Sequence, residues 1–355
     1  VALPAPAAGS RAIPRALEWC APFCVDVRLL LSVHRRGRGD PAYRVGSDGA
    51  VWRTSRTPDG PGTLRVTARQ AGPAGAGAGP GPGIETGRTG PAAVSAAAAV
   101  SAPAARPAAA ARTVVSATAW GPGAGWLLAA LPSLLGADDD PAGFRPEHPL
   151  LRELSRRHRG ARVGRSGLVF EALVPAVLEQ KVATVEAHRA WRHLLLRFGE
   201  PAPGPAPAGM RVFPPPRAWL RIPSWEWHRA GVEAVRARTI TAAARVTSRV
   251  EEIMTMTPAD ADRRLQALPG IGPWTSAEIR QRACGDPDAV SVGDYNLPGL
   301  VGWALAGRVV DDAGMLELLA PYPGHRYRAT MLIELGGARP PRRAPRLPIR
   351  DYRAF

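Results

Sequence analysis

Cysteine is nearly absent: Cys20, Cys24 and Cys284 are the only three. An odd number with one long gap excludes a secreted disulfide scaffold. Cys20 and Cys24 have the spacing of half a metal site, but no second cysteine pair or nearby histidine completes it, so all three read as free thiols. Long hydrophobic runs are missing too. The longest uncharged stretch, around residues 89–105, is Ala, Gly and Pro, too weakly hydrophobic to span a bilayer. Residues 1–19 carry Arg11, Arg15 and Glu18 and no apolar core of signal-peptide type. No internal repeat and no oligomerisation stripe stands out. The expectation is a soluble cytoplasmic monomer in a reducing compartment, with no membrane partner.

What the sequence has in quantity is positive charge. Its formal net charge is +16, with an isoelectric point near 11.2. A balance of this sign and size favours polyanions through counterion release. A GC-rich genome also favours Arg, Ala, Gly and Pro codons, so charge alone leaves both readings open. The 38 Gly and 38 Pro are concentrated in linkers and in one tract, which leaves enough chain for two cores.

The fold class expected is α+β: a small antiparallel-sheet domain over residues 20–135, then a mainly helical body over 148–336 and a basic Pro/Arg-rich tail over 337–355. Tyr43 to Val45, Val51 to Thr54, Thr63 to Ala68 and Thr113 to Thr118 read as strands, and Val25 to Val33 as a further β-type segment. Turns fall at Gly49 and at Pro58-Asp59-Gly60-Pro61. Residues 71–111, almost wholly Ala, Gly, Pro and Ser, read as a flexible insertion that cannot bury enough apolar surface to order. Helices are expected at Trp126 to Leu135, Leu150 to His158, Val169 to Gln180 (kinked or reset at Pro175) and Thr184 to Phe198. A long helix is expected from Glu233 to Ile253. Further helices follow at Pro258 to Leu268, with Thr257 as N-cap, and at Trp274 to Cys284, Leu297 to Ala306, Met315 to Leu319 and Arg326 to Leu335.

The informative stretch is Leu268-Pro269-Gly270-Ile271-Gly272-Pro273-Trp274. Two helices meet at a turn whose glycines permit positive φ and close approach of another backbone. Amides opening the second helix can receive a phosphate, aided by the helix dipole, and such a turn reads charge and shape, not base sequence. An ordinary tight loop between helices has the same pattern. Downstream, Val290-Ser291-Val292-Gly293-Asp294-Tyr295 ends in an acid just before another helical segment. Asp294 is either a helix cap, a carboxylate that stabilises oxocarbenium character at a sugar C1′, or both.

With Leu268 to Thr275 followed by Asp294-Tyr295, residues from about Phe170 to Gly336 resemble the helix-hairpin-helix DNA glycosylase superfamily, in particular its bacterial 3-methyladenine DNA glycosylase II branch. The N-terminal segments resemble the small domain that precedes the family's helical body, whereas the Ala/Gly/Pro insertion departs from the family pattern. The resemblance implies a nucleoid-associated bacterial repair enzyme acting on duplex DNA that contains a damaged base. It places Asp294 on the catalytic aspartate. Trp274 falls where bifunctional members carry a Schiff-base lysine, which implies hydrolysis by water without strand cleavage. A monovalent cation would be held by main-chain carbonyls of Gln266, Leu268 and Ile271, with no cofactor for catalysis. The iron–sulfur cluster of some relatives needs four cysteines, and Cys284 is the only one near or beyond the hairpin. Gln180 and Lys181 match the segment that enters the gap left by a flipped base. The family has an apolar wedge where this chain has Lys181, which either covers the gap with its methylene stem or stays at the surface.

A flipped, electron-poor base favours aromatic walls. Trp274, Tyr295 and Trp303 lie beside the hairpin or the acid, and Trp225, Trp227 and His228 are candidates for an opposite wall. Glu278, one turn beyond Trp274, stands where the alkylated-base enzymes have an aromatic. It either contacts the base or pairs with Arg282. Arg308, Arg326, Arg328 and the tail arginines 339, 342, 343, 346 and 350 are candidate phosphate contacts. The leading expectation is a monofunctional glycosylase for alkylated purines. The alternatives are a glycosylase for deaminated or etheno-type adenine lesions, and a non-catalytic damaged-DNA-binding protein.

Overall fold

The computed structural model describes residues 13–70, 112–337 and 339–340. The insertion expected at 71–111 and nearly all of the 337–355 tail lie outside these residues. Strand β1 (Arg15–Ala21), helix α1 (Val27–Ser32) and strands β2 (Tyr43–Val45), β3 (Val51–Thr57), β4 (Gly60–Gln70) and β5 (Thr113–Trp120) come first. The strands form one antiparallel sheet in the order β1-β5-β4-β3-β2. β3 and β4 meet at the predicted Pro-Asp-Gly turn, where Gly60 has φ +119°. Helix α2 (Ala124–Leu134) lies across β1, β4 and β5. Its Leu127, Leu131 and Leu134 pack on Leu64, Val66 and Val115.

Two sequence expectations fail in this region. Val25 to Val33 is helical, not β. Asp26 caps α1 by accepting from the Leu29 amide at 3.0 Å, and Val27, Leu30 and Leu31 are its buried residues, the helical i, i+3, i+4 spacing. The sheet also begins at Arg15, ahead of residue 20. β1 is an edge strand with only Ala21 fully buried, so it carries little of the alternation that marks a half-buried strand.

The helical body follows: α3 (Pro149–Arg157), α4 (Val169–Leu178) and α5 (Thr184–Phe198), then a two-strand pairing of β6 (Glu200–Pro201) with β7 (Arg211–Val212). Next come α6 (Pro216–Trp219), α7 (Ser224–Ala230), α8 (Ala234–Arg245), α9 (Thr247–Glu251), α10 (Pro258–Gln266) and α11 (Pro273–Ile279). α12 (Leu297–Ala306), α13 (Asp312–Leu319) and α14 (Arg326–Gly336) complete it. α4 is the central helix. Every residue in it except Glu171 is buried, as befits a helix apolar on all sides, and it runs through Pro175 as one segment. Its first amides have no cap of their own. Glu251 supplies one: its two carboxylate oxygens accept from the Val169 and Phe170 amides, each at 2.9 Å. The long helix expected over Glu233 to Ile253 breaks at Val246, whose φ/ψ of −118°/28° leaves the helical region, and α9 beyond the break ends on Glu251.

Glu171 joins the body to the sheet. Its carboxylate accepts from Arg53 Nη2 at 2.9 Å, Ser55 Oγ at 3.0 Å and the Arg56 amide at 2.9 Å. Burial pushes the Glu171 carboxyl up, against the pull of Arg53. α3, α12, α13 and α14 enclose a further apolar cluster around Leu151, Leu154, Val301, Met315, Leu319 and Ile333. That cluster fixes α12 and α14 side by side, behind the loop that carries Asp294.

Candidate active site

The hairpin is α10, a turn, and α11. Thr257 Oγ1 accepts from the Asp260 amide at 3.2 Å and Pro258 opens α10. The turn closes with the Ile271 amide donating to the Leu268 carbonyl at 3.1 Å. Ile271 is buried, whereas Pro269, Gly270 and Pro273 face solvent. Gly270 has φ +87°, and a Cβ there would meet Thr239 Oγ1 at 2.0 Å, so the turn admits no side chain. Gly272 is different. It is extended, and a Cβ there would meet nothing within 4 Å, so its flank is open to a body from outside.

Gln180, just past α4, donates from Nε2 to the Gly270 carbonyl and to Thr275 Oγ1, both at 2.8 Å. The buried helix therefore holds the hairpin. Lys181 follows with φ +54°, the one non-glycine residue with positive φ among the described residues. It is exposed and is the only lysine in the sequence. A left-handed lysine is uncommon; here it turns the chain sharply from α4 into α5 at the hairpin.

Asp294 sits on the loop before α12, half-buried. Its Oδ1 accepts from the Asn296 and Leu297 amides at 2.7 and 2.9 Å, and its Oδ2 accepts from Trp274 Nε1 at 3.0 Å. The capping reading is thus fulfilled, and the cap holds the carboxylate plane in place. A carboxylate has about four acceptor positions, so Oδ2 keeps one free. Trp274 and Asp294, brought together from separate helices, join the hairpin to the acid. Tyr295 lies beside them, 73% exposed, and Trp303 is half-buried on α12.

Glu278 takes the pairing option. Its Oε2 meets Arg282 Nη1 at 2.7 Å and its Oε1 accepts from Ser291 Oγ at 2.6 Å. Arg282 also donates from Nε to the Val33 carbonyl at 3.3 Å, so the chain after α1 contributes to this wall.

Two residues that sequence reading missed stand nearby on α14. Tyr327 and Glu334 are i and i+7, so they share one helix face. Burial raises the Tyr327 hydroxyl, whose electrostatic neighbours are Arg282, Glu334 and Glu278. The Glu334 carboxyl is pushed up to about 7 by burial first, then by the Glu278 and Asp294 charges, against Arg282 and Arg339. Glu334 keeps much of its own surface open, yet protein surrounds it on most sides, as for a side chain inside a cleft.

Other expected site residues lie elsewhere. Trp227 is buried in the core, its ring 5.9 Å from that of Trp219. His228 is exposed and lines, with Trp227, Val232, Ala237 and Thr241, an open groove of about 560 Å³ whose walls include neither Trp274 nor Asp294. Trp225 is 65% exposed on the same short helix. The structure therefore does not bring Trp225, Trp227 and His228 to Asp294. Arg328 is no phosphate contact: it is buried and makes a two-pronged ion pair with Asp139, one bond at 3.0 Å. Arg326 is bound to Asp288, with Nε to Oδ1 at 2.8 Å. Arg308 and Arg339 are exposed; arginines 342, 343, 346 and 350 lie outside the described residues. No cluster of His, Cys, Asp or Glu suited to a metal ion occurs among the described residues.

No protein-family model matches the chain. A relative from Mycobacterium tuberculosis, described as a probable bifunctional transcriptional activator/DNA repair enzyme AlkA, is 33% identical over 172 residues, 47% of this chain and 32% of the relative. The chain thus spans about a third of the length of the curated relatives it matches. Among solved structures, the 3-methyladenine DNA glycosylase from Archaeoglobus fulgidus aligns over 90% of this chain and 98% of its own, with a TM-score of 0.64 and 16% identity. The 8-oxoguanine glycosylase/lyase from Clostridium acetobutylicum, in complex with double-stranded DNA, aligns over 88% and 91%, with a TM-score of 0.59 and 10% identity. In fold and in matched sequence, the chain resembles the helix-hairpin-helix DNA glycosylases.

Proposed function

We propose that this chain is a monofunctional DNA glycosylase that hydrolyses the N-glycosidic bond of alkylated purines in duplex DNA. The single observation that carries this reading is the bond from Trp274 Nε1 to Asp294 Oδ2 at 3.0 Å. It ties the phosphate-binding hairpin to a half-buried carboxylate with one acceptor position free. A backbone gripped at the exposed turn around Gly270 and Gly272 delivers the flipped nucleotide's sugar to that carboxylate. As the base departs, positive charge grows on the sugar, and Asp294 stabilises it at a fixed site without reorganising. Water adds to C1′ and the base leaves as the free heterocycle.

Monofunctional action has its own support. A Schiff base needs a lysine, and the only lysine in the sequence is Lys181, at the end of α4 and not on the helix that bears Trp274. Lys181 instead faces the duplex as a gap-covering or phosphate-contacting side chain. The loop from Gln266 through Leu268 to Ile271, closed at 3.1 Å, is where main-chain carbonyls would hold a monovalent cation against a phosphate; that ion has no part in bond cleavage. The proposed partner is damaged duplex DNA, engaged by a monomer.

The test uses duplexes with single alkylated-purine lesions, analysed with and without alkali. Abasic product that breaks only under alkali is expected. Asp294→Asn is expected to lower excision at least about a hundredfold while binding to abasic DNA persists. Strand breaks without alkali overturn the monofunctional reading, and unchanged turnover in the variant overturns the role of Asp294.

A further inference from the structure

We propose that Glu334 is a specificity-determining residue: its unpaired carboxylate makes the cleft beside Asp294 select positively charged damaged bases over neutral ones. This rests on the glycosylase reading and extends it to the charge class of the substrate. Two helix faces border the cleft. On α11, Trp274 and Glu278 are i and i+4. On α14, Tyr327 and Glu334 are i and i+7, and α14 packs against α12, the helix that Asp294 caps.

The two glutamates differ in what they already hold. Glu278 is matched by Arg282 at 2.7 Å and Ser291 at 2.6 Å, so its charge is spent within the protein. Glu334 has no hydrogen-bond or ion-pair partner among the described residues. Its neighbours make matters worse for it: the Glu278 and Asp294 charges oppose its ionisation, and only Arg282 and Arg339 favour it. With the Glu278–Arg282 pair internally neutral, Asp294 and Glu334 remain. The first faces the sugar. The second leaves a surplus negative charge beside the base, with the aromatic ring of Tyr327 on the same helix face.

A purine alkylated on a ring nitrogen is a delocalised cation. It gains from an uncompensated carboxylate in a cleft where protein replaces much of the water. A neutral base gains nothing and strips water from the carboxylate. The same opposition of charges that raises Glu334 is relieved when a cation enters, so occupancy by the right substrate restores the ionised form.

The test compares single-turnover excision of 7-methylguanine, a cationic base in DNA, with that of hypoxanthine, a neutral one, in otherwise identical duplexes. Wild type and Glu334→Gln are measured at pH 8, with Glu334→Asp as the conservative variant. The wild-type chain is expected to favour the cation, and Glu334→Gln to lower the cation-to-neutral rate ratio about tenfold, with Glu334→Asp restoring part of it. A ratio unchanged in Glu334→Gln, or both rates falling together, overturns the inference, as does a wild-type chain with no preference. Those results leave the glycosylase reading standing. Failure of the wild-type chain to excise any lesion sinks both.

Discussion

The segments around α7 and around α11 look alike in sequence: each is a short helix bearing tryptophan and glutamate, next to a glycine with positive φ. Their physics is opposite. In α7, Trp227 is held by packing against Trp219, and Glu226 is satisfied by His193 at 3.1 Å and by Arg229 and Arg197. In α11, Trp274 is held by one polar bond to Asp294, and the nearest free acid, Glu334, is satisfied by nothing. A tryptophan beside an acid is core when apolar rings close over it. It belongs to a site when its indole N–H holds a carboxylate at the surface of a cleft.

The sharpest way to separate the two regions is to delete each indole. Trp227→Ala removes a buried ring and is expected to cost about 3–5 kcal/mol, read as a lowered denaturation midpoint. The folded fraction should keep its single-turnover excision rate. Trp274→Phe preserves the ring and removes only the N–H. It is expected to cost about 1 kcal/mol of stability or less but to slow excision about tenfold, because Asp294 Oδ2 loses its fixed partner. If the two variants shift stability and rate in the same proportion, the distinction collapses.

A smaller effect comes from pH. Glu226 is held below the usual carboxylate range by the His193 hydrogen bond first, then by Arg229 and Arg197. Those long side chains cover its surface without embedding it in protein. Its folded state prefers the ionised form, so its stabilisation is present at neutral pH and fades as pH falls through the folded value. Glu334 has the reverse sign. Its folded value, about 7, lies above the ordinary carboxylate range, so the folded state holds extra proton in between and stability falls as pH rises through that window. Glu334→Gln should therefore raise the melting temperature above pH 7 and leave it nearly unchanged at pH 4. After discounting for solvent screening, the gain is below about 1 kcal/mol. Glu226→Gln should lower stability at pH 7 and lose that effect in acid. Parallel pH curves for the two variants would contradict the assignment of opposite environments.

The hairpin and Asp294 were legible because their chemistry is local. Glycines at 270 and 272, Pro273, and an acid just before an apolar helix carry their meaning within a few residues. The β2–β5 strands and most helices of the body were legible for the same reason. What escaped was set by distance along the chain. Arg328 reads as a surface cation until Asp139, 189 residues away, is folded against it. Tyr327 and Glu334 lie on a helix whose pattern gives no hint that one face borders a cleft. α1 was misread because a run of leucines and valines has no clear period, although Asp26 ahead of it was a usable cap signal.

Lys181 has a practical consequence. Apart from any free chain terminus, the side chains of all 355 residues offer amine chemistry at this exposed, left-handed position alone. A fluorophore ester or an acylating reagent should therefore mark the tip of α4 without engineering. Protection of that label when DNA is added would report directly on how closely the duplex approaches the hairpin.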